Sequence, residues 1–332
     1  MVTIQDIAEK LNVSKGTVSK ALNGATDVSE TLRKSILETA VEMGYSRTLH
    51  KRDAKTLCIF IENMSCQEPN DFGYDIVVGF RKAAEPSGYL VEVVPLDDKT
   101  QKHTRYDEYM LKHNYAGALF LGLSLSDVWL HDLQTAHTPA VLLDNYIKAN
   151  PYTCYMGVDN AEGMDLAVAH LRSLGHTRIG YLSRGLGSYV NQARYSAFFH
   201  ALRKNDLPDD PHLAGSDYFF SECLQKHLPT LLKQNVTAIL CSHDLLAHTV
   251  MLHCLELGIR IPQDLSIIGF DDLPLCSYTM PPLTTIRQDR TQLGKSGFYA
   301  LSSLLAGVPI STLLLHAQLI LRQSTAAPKE HP

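Results

Sequence analysis

Residues 3–23 of the chain read TIQDIAEKLNVSKGTVSKALN, and this stretch decides the fold of the N-terminal region. Apolar residues recur at helical spacing through residues 4–11, and Thr3 and Asp6 have the spacing of a capping box. An Asn-Val pair then connects this segment to the next. The pattern predicts a first short helix with one apolar face, followed by a tight turn.

Two more helices follow in the same way. Ser14 is placed to cap a helix over residues 15–22, and Ser29 is placed to cap a longer helix that ends at Gly44. Two short helices joined by a tight turn and braced by a third form a helix-turn-helix, whose second helix enters the major groove by its N-terminal end. In this chain that end carries hydroxyl and basic side chains and no acid.

Charge is distributed unevenly along the 332 residues, whose formal net charge is −5. Residues 1–55 hold nine lysines and arginines against seven acidic residues, whereas the remainder holds 21 against 28. A basic head on an acidic body is typical of a nucleic-acid-binding module that is joined to a domain of another kind.

The composition, 45% hydrophobic and 20% charged, indicates a globular chain of two or three domains. No apolar run approaches the roughly 18 residues of a membrane span, and the N-terminus lacks the pattern of a signal peptide. We therefore expect a cytoplasmic protein without membrane contact. Seven cysteines without a CxxC pair predict free, buried thiols in place of a disulfide framework or a metal site.

The first 45 residues closely resemble the DNA-binding head of the lactose-repressor (LacI/GalR) family. The resemblance rests on residues 3–23 and on the downstream Val28-Ser29, Arg33 and Gly44-Tyr45. It implies that the second helix reads bases with Lys15, Gly16 and Lys20. It implies phosphate or groove-positioning roles for Thr3, Ser14, Thr17, Ser19, Asn23, Ser29 and Tyr45.

Two of these positions depart from the family pattern. Lys20 stands where the family usually has Arg, and a lysine cannot form the planar fork that grips a guanine. Gly16 has no side chain with which to read a base. We therefore expect a less stringent half-site at that base.

The segment after the head also departs from the family. Relatives usually have a Pro-Asn step and a short hinge helix that wedges a leucine into the minor groove. Residues 46–56 read SRTLHKRDAKT, and Ala54 falls where that leucine would be. Either Leu49 is the wedge in a shifted register, or the segment is a plain linker whose basic residues meet phosphates. The composition favours the linker.

Beyond the hinge, short apolar strands alternate with amphipathic helices. We predict strands over residues 57–61, 89–94, 117–121, 140–143, 178–182, 238–241, 266–269 and 284–286. The helical patterns include residues 74–87, 161–174, 191–205, 245–257 and 292–306. Such alternation indicates βαβ units and parallel sheets, and the length indicates two doubly wound lobes.

The body resembles the same family, whose effector domain is similar to a periplasmic sugar-binding protein. The stretches that carry this resemblance are 157–160, 175–180, 261–272 and 281–289. The fold class is thus an all-α helix-turn-helix head with an α/β body of two parallel-sheet lobes of periplasmic-binding-protein type. The expected domains are a DNA-binding domain at 1–46, a hinge at 47–56 and an effector-binding domain at 57–327. Within the last, the N-lobe covers about 57–158 and 288–311, and the C-lobe about 159–287 and 312–327.

The resemblance also places effector-contact residues at or near strand ends. They are Asp144, Arg194, Tyr218, Asp271 and Gln288. Carboxylate, amide and guanidinium groups would bind the hydroxyls of a sugar, and an aromatic face would cover its apolar side. Simpler explanations stay open for two of them: Asp271 as a turn residue, and Arg194 as a salt-bridged helix residue.

His243 stands where the family typically has Asn, and we count it among the effector-contact residues. An imidazole changes the pattern of hydrogen-bond donors and acceptors, and it is able to titrate near neutral pH. The hypothesis that follows is an effector affinity that depends on pH between 5.5 and 8.

Together these observations predict a sequence-specific transcriptional regulator, most simply a repressor. It would bind palindromic operator DNA as a homodimer and a small polar metabolite, a sugar or a related molecule, between its two lobes. A solute-binding protein of a transport system is the alternative, and the helix-turn-helix and the missing signal peptide disfavour it. The sequence shows no nucleophile, metal or cofactor constellation, so we expect neither an enzyme nor a bound metal or cofactor.

Overall fold

The computed structural model describes residues 2–45 and 56–329. Its N-terminal head contains three helices, α1 (Ile4–Leu11), α2 (Lys15–Leu22) and α3 (Glu30–Glu42). The capping box of α1 is confirmed, because Thr3 Oγ1 accepts from the Asp6 backbone N–H at 3.3 Å and the Asp6 carboxylate accepts from the Thr3 N–H at 2.7 Å. Ser14 and Ser29 cap α2 and α3, as the sequence predicts.

The body alternates between strands and helices. Its first half contains β1 (Thr56–Ile61), α4 (Phe72–Ala84), β2 (Leu90–Pro95), α5 (Asp98–His103), α6 (Tyr106–His113), β3 (Ala118–Leu121), α7 (Val128–Asp132), β4 (Ala140–Leu143) and β5 (Thr153–Val158). Its second half contains α8 (Asn160–Ser173), β6 (Ile179–Arg184), α9 (Tyr189–Lys204), β7 (Ala214–Asp217), α10 (Phe220–Glu222), α11 (Leu228–Lys233), β8 (Ala238–Cys241), α12 (Asp244–Glu256), β9 (Ser266–Asp271), β10 (Thr284–Arg287), α13 (Arg290–Leu305), β11 (Thr312–Leu315) and β12 (Gln318–Ile320).

The chain forms two compact units, each with one six-stranded sheet. The first unit comprises Met1–Met156 and Arg290–Leu313, and the second comprises Gly157–Asp289 and Leu314–Pro332. The sheet orders are β11-β5-β4-β3-β1-β2 and β12-β10-β9-β8-β6-β7. Strands β1 to β5 and β6 to β10 pair in parallel, whereas β12 is antiparallel to β10. The predicted class of two doubly wound parallel sheets is confirmed.

The strand order fixes where each sheet can bind a ligand. In the first sheet β2 and β3 lie on opposite sides of β1, and in the second sheet β7 and β8 lie on opposite sides of β6. Such a reversal opens a crevice at the carboxyl ends of the neighbouring strands. Side chains that follow β1 and β3, or β6 and β8, are therefore the ones that each fold presents to a ligand.

Each unit has its own aromatic core. In the first, Phe60 and Phe120 stack with ring centroids 5.0 Å apart, and Trp129 meets Phe60 edge-on. Trp129 is fully buried and belongs to this core. In the second unit Tyr181 stacks on Phe198 at 5.0 Å. These large buried rings stabilise each sheet against its helices.

The head contacts the body within the first unit. Helix α3 packs against α6, and Leu111 of α6 belongs to the same apolar cluster as Ile7, Val18 and Ile36 of the head. The His137 ring lies beside Gly44, the residue that ends α3 with a left-handed φ of 70°. The sequence does not predict this contact, because its partners are some 70 to 100 residues apart along the chain.

All eight predicted strands are present, but sequence reasoning missed β5, β7, β11 and β12. Strand β7 reads AGSD and has no apolar run, and β12 is only three residues long. Short strands without an alternating pattern are not separable from loops by periodicity.

All seven cysteines are free, and each except Cys66 is buried, as predicted. No helix among the described residues is long and apolar enough to cross a membrane.

Candidate functional sites

The N-terminal end of α2 is open to solvent. Ser14 Oγ accepts a hydrogen bond from the Thr17 backbone N–H at 3.0 Å and lies 2.8 Å from Thr17 Oγ1. Lys15, Gly16 and Lys20 are all exposed on this helix. The three positions that the sequence assigns to base reading therefore share an accessible surface, as contact with a DNA groove requires.

Lys20 has an acidic partner that sequence reasoning missed. Its Nζ lies 2.5 Å from Oδ2 of Asp27, in the loop between α2 and α3. The hydrogen bond from Lys20 lowers the pKa of Asp27. Because Asp27 lies beyond the end of α2, helical spacing gives no signal for this pair.

The remaining DNA-contact positions predicted for the head differ in exposure. Thr3, Asn23 and Ser29 are exposed, and Ser19 is half-buried, with its Oγ accepting from Asn23 Nδ2 at 3.4 Å. Tyr45 instead lies buried in the head core. The phosphate or groove-positioning role of Tyr45 therefore stays a prediction.

The expected hinge at residues 47–56 falls almost entirely outside the described part of the chain. The alternatives for Leu49 and Ala54, a minor-groove wedge or a basic linker, lie in residues 46–55 and so outside the described residues.

Arg194 is the centre of a buried polar cluster in the second unit. It projects from α9 and is only 4% exposed. Its Nε donates to Asn160 Oδ1 at 2.8 Å and its Nη1 donates to the Ser242 carbonyl at 2.6 Å. The guanidinium carbon lies 3.7 Å from the ring centroid of Phe270. These contacts fix the plane of the guanidinium, which preorganises its remaining donors for a ligand.

Asp271 and Gln288 complete this cluster. Asp271 Oδ1 lies 3.6 Å from Arg194 Nη1 and accepts a 2.7 Å hydrogen bond from Gln288 Nε2. Asp271 ends β9 with φ at 120°, a strained conformation of the kind that clusters at functional sites. Gln288 is 2% exposed, and its Oε1 is buried without a hydrogen-bond partner among the described residues. The structure thus brings Arg194, Asp271 and Gln288 together.

His243 lies at the edge of the same cluster. Its Nδ1 is 2.9 Å from Ser242 Oγ, and the Phe220 ring meets it edge-on at 5.3 Å. Burial, followed by the positive charges of Arg194 and Arg184, lowers the pKa of His243 to about 3. The hypothesis of a proton switch between pH 5.5 and 8 is therefore wrong for this site, because the imidazole stays neutral across that range.

Asp244 is a further buried acid, and sequence reasoning did not single it out. It is fully buried and accepts hydrogen bonds from the Leu273 N–H at 2.8 Å and from Thr285 Oγ1 at 2.6 Å. Burial and the neighbouring Asp271 raise the pKa of Asp244 to about 7. A Cβ at Gly269 would overlap Asp244 Oδ1, so a glycine is required there. These two hydrogen bonds connect the start of α12 to β10 and to the segment that follows β9.

Two predicted residues lie apart from the contacts just described. Tyr218 follows β7 and is exposed, with the Arg184 guanidinium 5.4 Å from its ring centroid. Asp144 follows β4 in the first unit, with a left-handed φ of 56°. Their effector roles stay predictions.

The first unit contains a cluster of three acids that the sequence did not reveal. Oxygens of Glu62, Asp98 and Asp127 all lie within 4.8 Å of one another. Gln101 Nε2 donates to Glu62 at 2.8 Å, while Asp127 accepts from the Ser124 hydroxyl at 2.7 Å. Burial, and then the charge and hydrogen bond of Asp127, raise the pKa of Glu62 to about 7. Glu62 directly follows β1, so its position at a strand end was the sequence signal that could have identified it as a candidate site residue.

Two protein-family models match this chain, one in the helical head and the other in the α/β body. Residues 3–48 match bacterial regulatory proteins of the lacI family, and residues 168–325 match a periplasmic binding protein-like domain. These matches define a class of regulator with a helix-turn-helix head on a body that resembles a solute-binding protein.

Full-length relatives agree with this class. The chain is 28% identical to the HTH-type transcriptional repressor CytR of Escherichia coli (strain K12), covering 98% of this chain and 96% of that protein. It is 28% identical to the ribose operon repressor of Haemophilus influenzae, covering 98% of each. A solved structure of the lac repressor dimer bound to operator and the anti-inducer ONPF is similar with a TM-score of 0.67, at 25% identity, over 98% of this chain and 99% of that one.

The chain therefore carries a LacI-family DNA-binding domain followed by a periplasmic-binding-protein-like domain, the domain combination of a DNA-binding transcriptional repressor. Its relatives are named as transcriptional regulators, so neither the transport protein nor the enzyme considered above is supported.

Proposed function

We propose that this repressor binds palindromic operator DNA as a homodimer and that a small hydroxylated metabolite, bound at the Arg194 cluster, changes its affinity for the operator. The observation that carries the proposal is the buried Arg194–Asp271–Gln288 arrangement, in which Gln288 Oε1 has no partner among the described residues. A buried acceptor without a donor costs free energy, and a ligand hydroxyl would remove that cost.

A sugar is the ligand class that this chemistry favours. Vicinal hydroxyls both donate and accept, so they match a carboxylate, an amide oxygen and a guanidinium side by side. Tyr218 is exposed at the end of β7 and offers an aromatic face to the apolar side of a sugar ring. The name of one relative, a ribose operon repressor, supports the same class.

Dimerisation is supported by exposed large apolar side chains on the second unit. Leu252 and Leu255 of α12 are exposed, and so are Tyr278 and Met280 just beyond the carboxyl end of β9, at 85% and 95%. Exposed apolar groups of this size mark protein interfaces, and a two-fold dimer matches a palindromic site. A single helix-turn-helix reads too few bases on its own. The similar lac repressor structure is a dimer on its operator.

The dimer is tested by sedimentation of the full-length protein. We expect Leu255→Asp combined with Met280→Asp to convert a dimer into a monomer and to weaken operator binding. Leu90→Asp, which changes an equally exposed leucine of the first unit, is the matched control. A monomeric parent protein that still binds a palindrome tightly would contradict the proposal.

The effector site is tested by fluorescence anisotropy on an operator duplex that the protein itself selects. Common pentoses, hexoses and disaccharides are added singly at millimolar concentration. We expect at least one to shift the operator affinity, and Arg194→Lys to keep DNA binding but to lose that shift. Arg172→Lys, on an exposed face of α8, is the control. An identical response of Arg194→Lys and the parent protein would exclude this cluster as the effector site.

A further inference from the structure

We propose that the effector carries an anionic group, a phosphate or a carboxylate, and that Arg184 and His243 bind it. This inference rests on the proposed function and names the chemical class of its ligand. The ligand would be a hydroxylated anion, such as a sugar phosphate or a sugar acid.

Both residues lie where the second sheet presents side chains to a ligand. Arg184 is the last residue of β6, and His243 comes two residues after the end of β8. These strands are parallel neighbours, with Leu182 opposite Cys241. The strand order reverses at this pair, so the two side chains lie at the carboxyl-end crevice of the sheet.

Ser242 determines which nitrogen of His243 carries the proton. Ser242 is fully buried, and its Oγ accepts a hydrogen bond from the Arg184 backbone N–H at 3.3 Å. Its own hydroxyl proton then has one acceptor within reach among the described residues, His243 Nδ1 at 2.9 Å. Since buried hydroxyls donate when an acceptor is available, the neutral imidazole carries its hydrogen on Nε2. His243 therefore presents a donor to the site, whereas an asparagine would present both a donor and an acceptor.

Positive charge dominates the surroundings of that donor. The guanidinium of Arg184 makes no ion pair with any acid in the described part of the chain, and it rests over the Tyr218 ring. Asp217, the residue opposite Arg184 on the neighbouring strand β7, has its carboxylate 3.8 Å from Lys226 Nζ. Burial first, and then the charges of Arg194 and Arg184, lower the pKa of His243. A ligand group bound beside His243 would therefore meet hydrogen-bond donors and positively charged side chains.

An anionic oxygen matches this arrangement better than a neutral hydroxyl does. It accepts hydrogen bonds without needing an acceptor in return, and charge-assisted bonds to a guanidinium are about twice as strong as neutral ones. Gln288 Oε1, the buried acceptor without a partner among the described residues, then receives a hydroxyl proton from the rest of the ligand. The two requirements together define a molecule with an acidic group and hydroxyls.

The test compares matched neutral and anionic probes on the full-length protein by isothermal titration calorimetry. The probes are ribose with ribose 5-phosphate, and glucose with glucose 6-phosphate and glucuronate, so that phosphate and carboxylate are separated. We expect one anion to bind at least roughly tenfold more tightly than its neutral counterpart. Arg184→Gln and His243→Asn should each lower that affinity by about tenfold, whereas Arg172→Gln, which removes an exposed arginine elsewhere in the same unit, should not.

The outcomes separate this inference from the proposed function. Equal affinity for neutral and anionic probes, no effect of Arg184→Gln, or no binding of any anion at millimolar concentration would overturn the anionic class. Release of operator by a neutral sugar would overturn it too, while the proposed function would stand. A protein that selects no palindromic DNA would overturn the proposed function itself.

Discussion

Lys20 Nζ lies 2.5 Å from the carboxylate of Asp27, so a lysine that the family resemblance assigns to base reading is paired with an acid of its own head. Both side chains are exposed. Exposed ion pairs contribute little to stability, so DNA can displace Asp27 at small cost. The negative charge of Asp27 nevertheless lies beside α2, the helix that approaches the DNA phosphates in the proposed function.

Removing that charge should strengthen DNA binding. We expect Asp27→Asn to raise the affinity for random duplex DNA several-fold and to steepen the dependence of binding on salt by about one ion. Glu38→Gln, which removes an exposed acid from α3, is the matched control, since it is paired with Lys34 and not with a base-reading residue. Equal effects of the two variants would show that net charge alone matters.

Lys20 itself should determine specificity. We expect Lys20→Ala to lose about 1–3 kcal/mol of discrimination for the operator while it keeps part of its non-specific binding. Competition binding with operator and random duplexes at one salt concentration measures this. An equal loss on both duplexes would instead make Lys20 a phosphate contact.

The acid cluster of the first unit should make stability depend on pH. Burial and Asp127 raise the pKa of Glu62 from 4.5 to about 7, so the folded chain holds a proton that the unfolded chain has already released. The protonated Glu62 side chain therefore contributes fully to the stability of the folded chain at low pH. This contribution is lost as the pH rises from about 4.5 through 7. Glu62→Gln keeps the neutral form at all pH values.

We therefore expect Glu62→Gln to match the parent protein near pH 5 and to exceed it by on the order of 1 kcal/mol at pH 8. Urea denaturation at the two pH values measures the difference, with the exposed Glu68→Gln as control. A parent protein whose stability relative to Glu62→Gln does not change with pH would contradict the raised pKa of Glu62.

His243 should affect stability in acid and not near neutrality. Its pKa falls from 6.5 to about 3 on folding, so the unfolded chain takes up a proton first as the pH is lowered. The stability due to the neutral imidazole is full above pH 6.5 and declines towards pH 3. His243→Asn should lose less stability than the parent protein between pH 6.5 and 4, and the exposed His200→Asn should behave like the parent. Identical acid sensitivity of His243→Asn and the parent would show that His243 titrates normally.

Features set by local chemistry could be predicted from the sequence. Thr3, Ser14 and Ser29 cap the head helices because the capping side chain and its backbone target lie within three residues. Apart from the exposed edge strand β2, the predicted strands were visible because parallel strands buried on both faces form short continuous apolar runs. Asp271 was placed among the effector contacts by the family resemblance and not by strand periodicity.

Features that depend on distant residues could not be predicted. Asp27 meets Lys20 across a loop, and Asp127 at the start of α7 meets Glu62 at the end of β1. The titration of His243 was wrongly expected near neutrality, since its burial and the two nearby guanidiniums follow from packing that a single sequence does not show. The contact of α3 with α6 is of the same kind.

The most direct test of operator recognition by this protein is selection of bound duplexes from a random library by the full-length protein at near-physiological salt. If the protein is a dimeric repressor, the selected duplexes should share a palindrome of two half-sites, and Lys20→Ala should relax it at one base of each half. The spacing of the half-sites would also distinguish a minor-groove wedge from a basic linker at residues 46–55. No enrichment over the starting library would contradict the central claim that this head reads an operator.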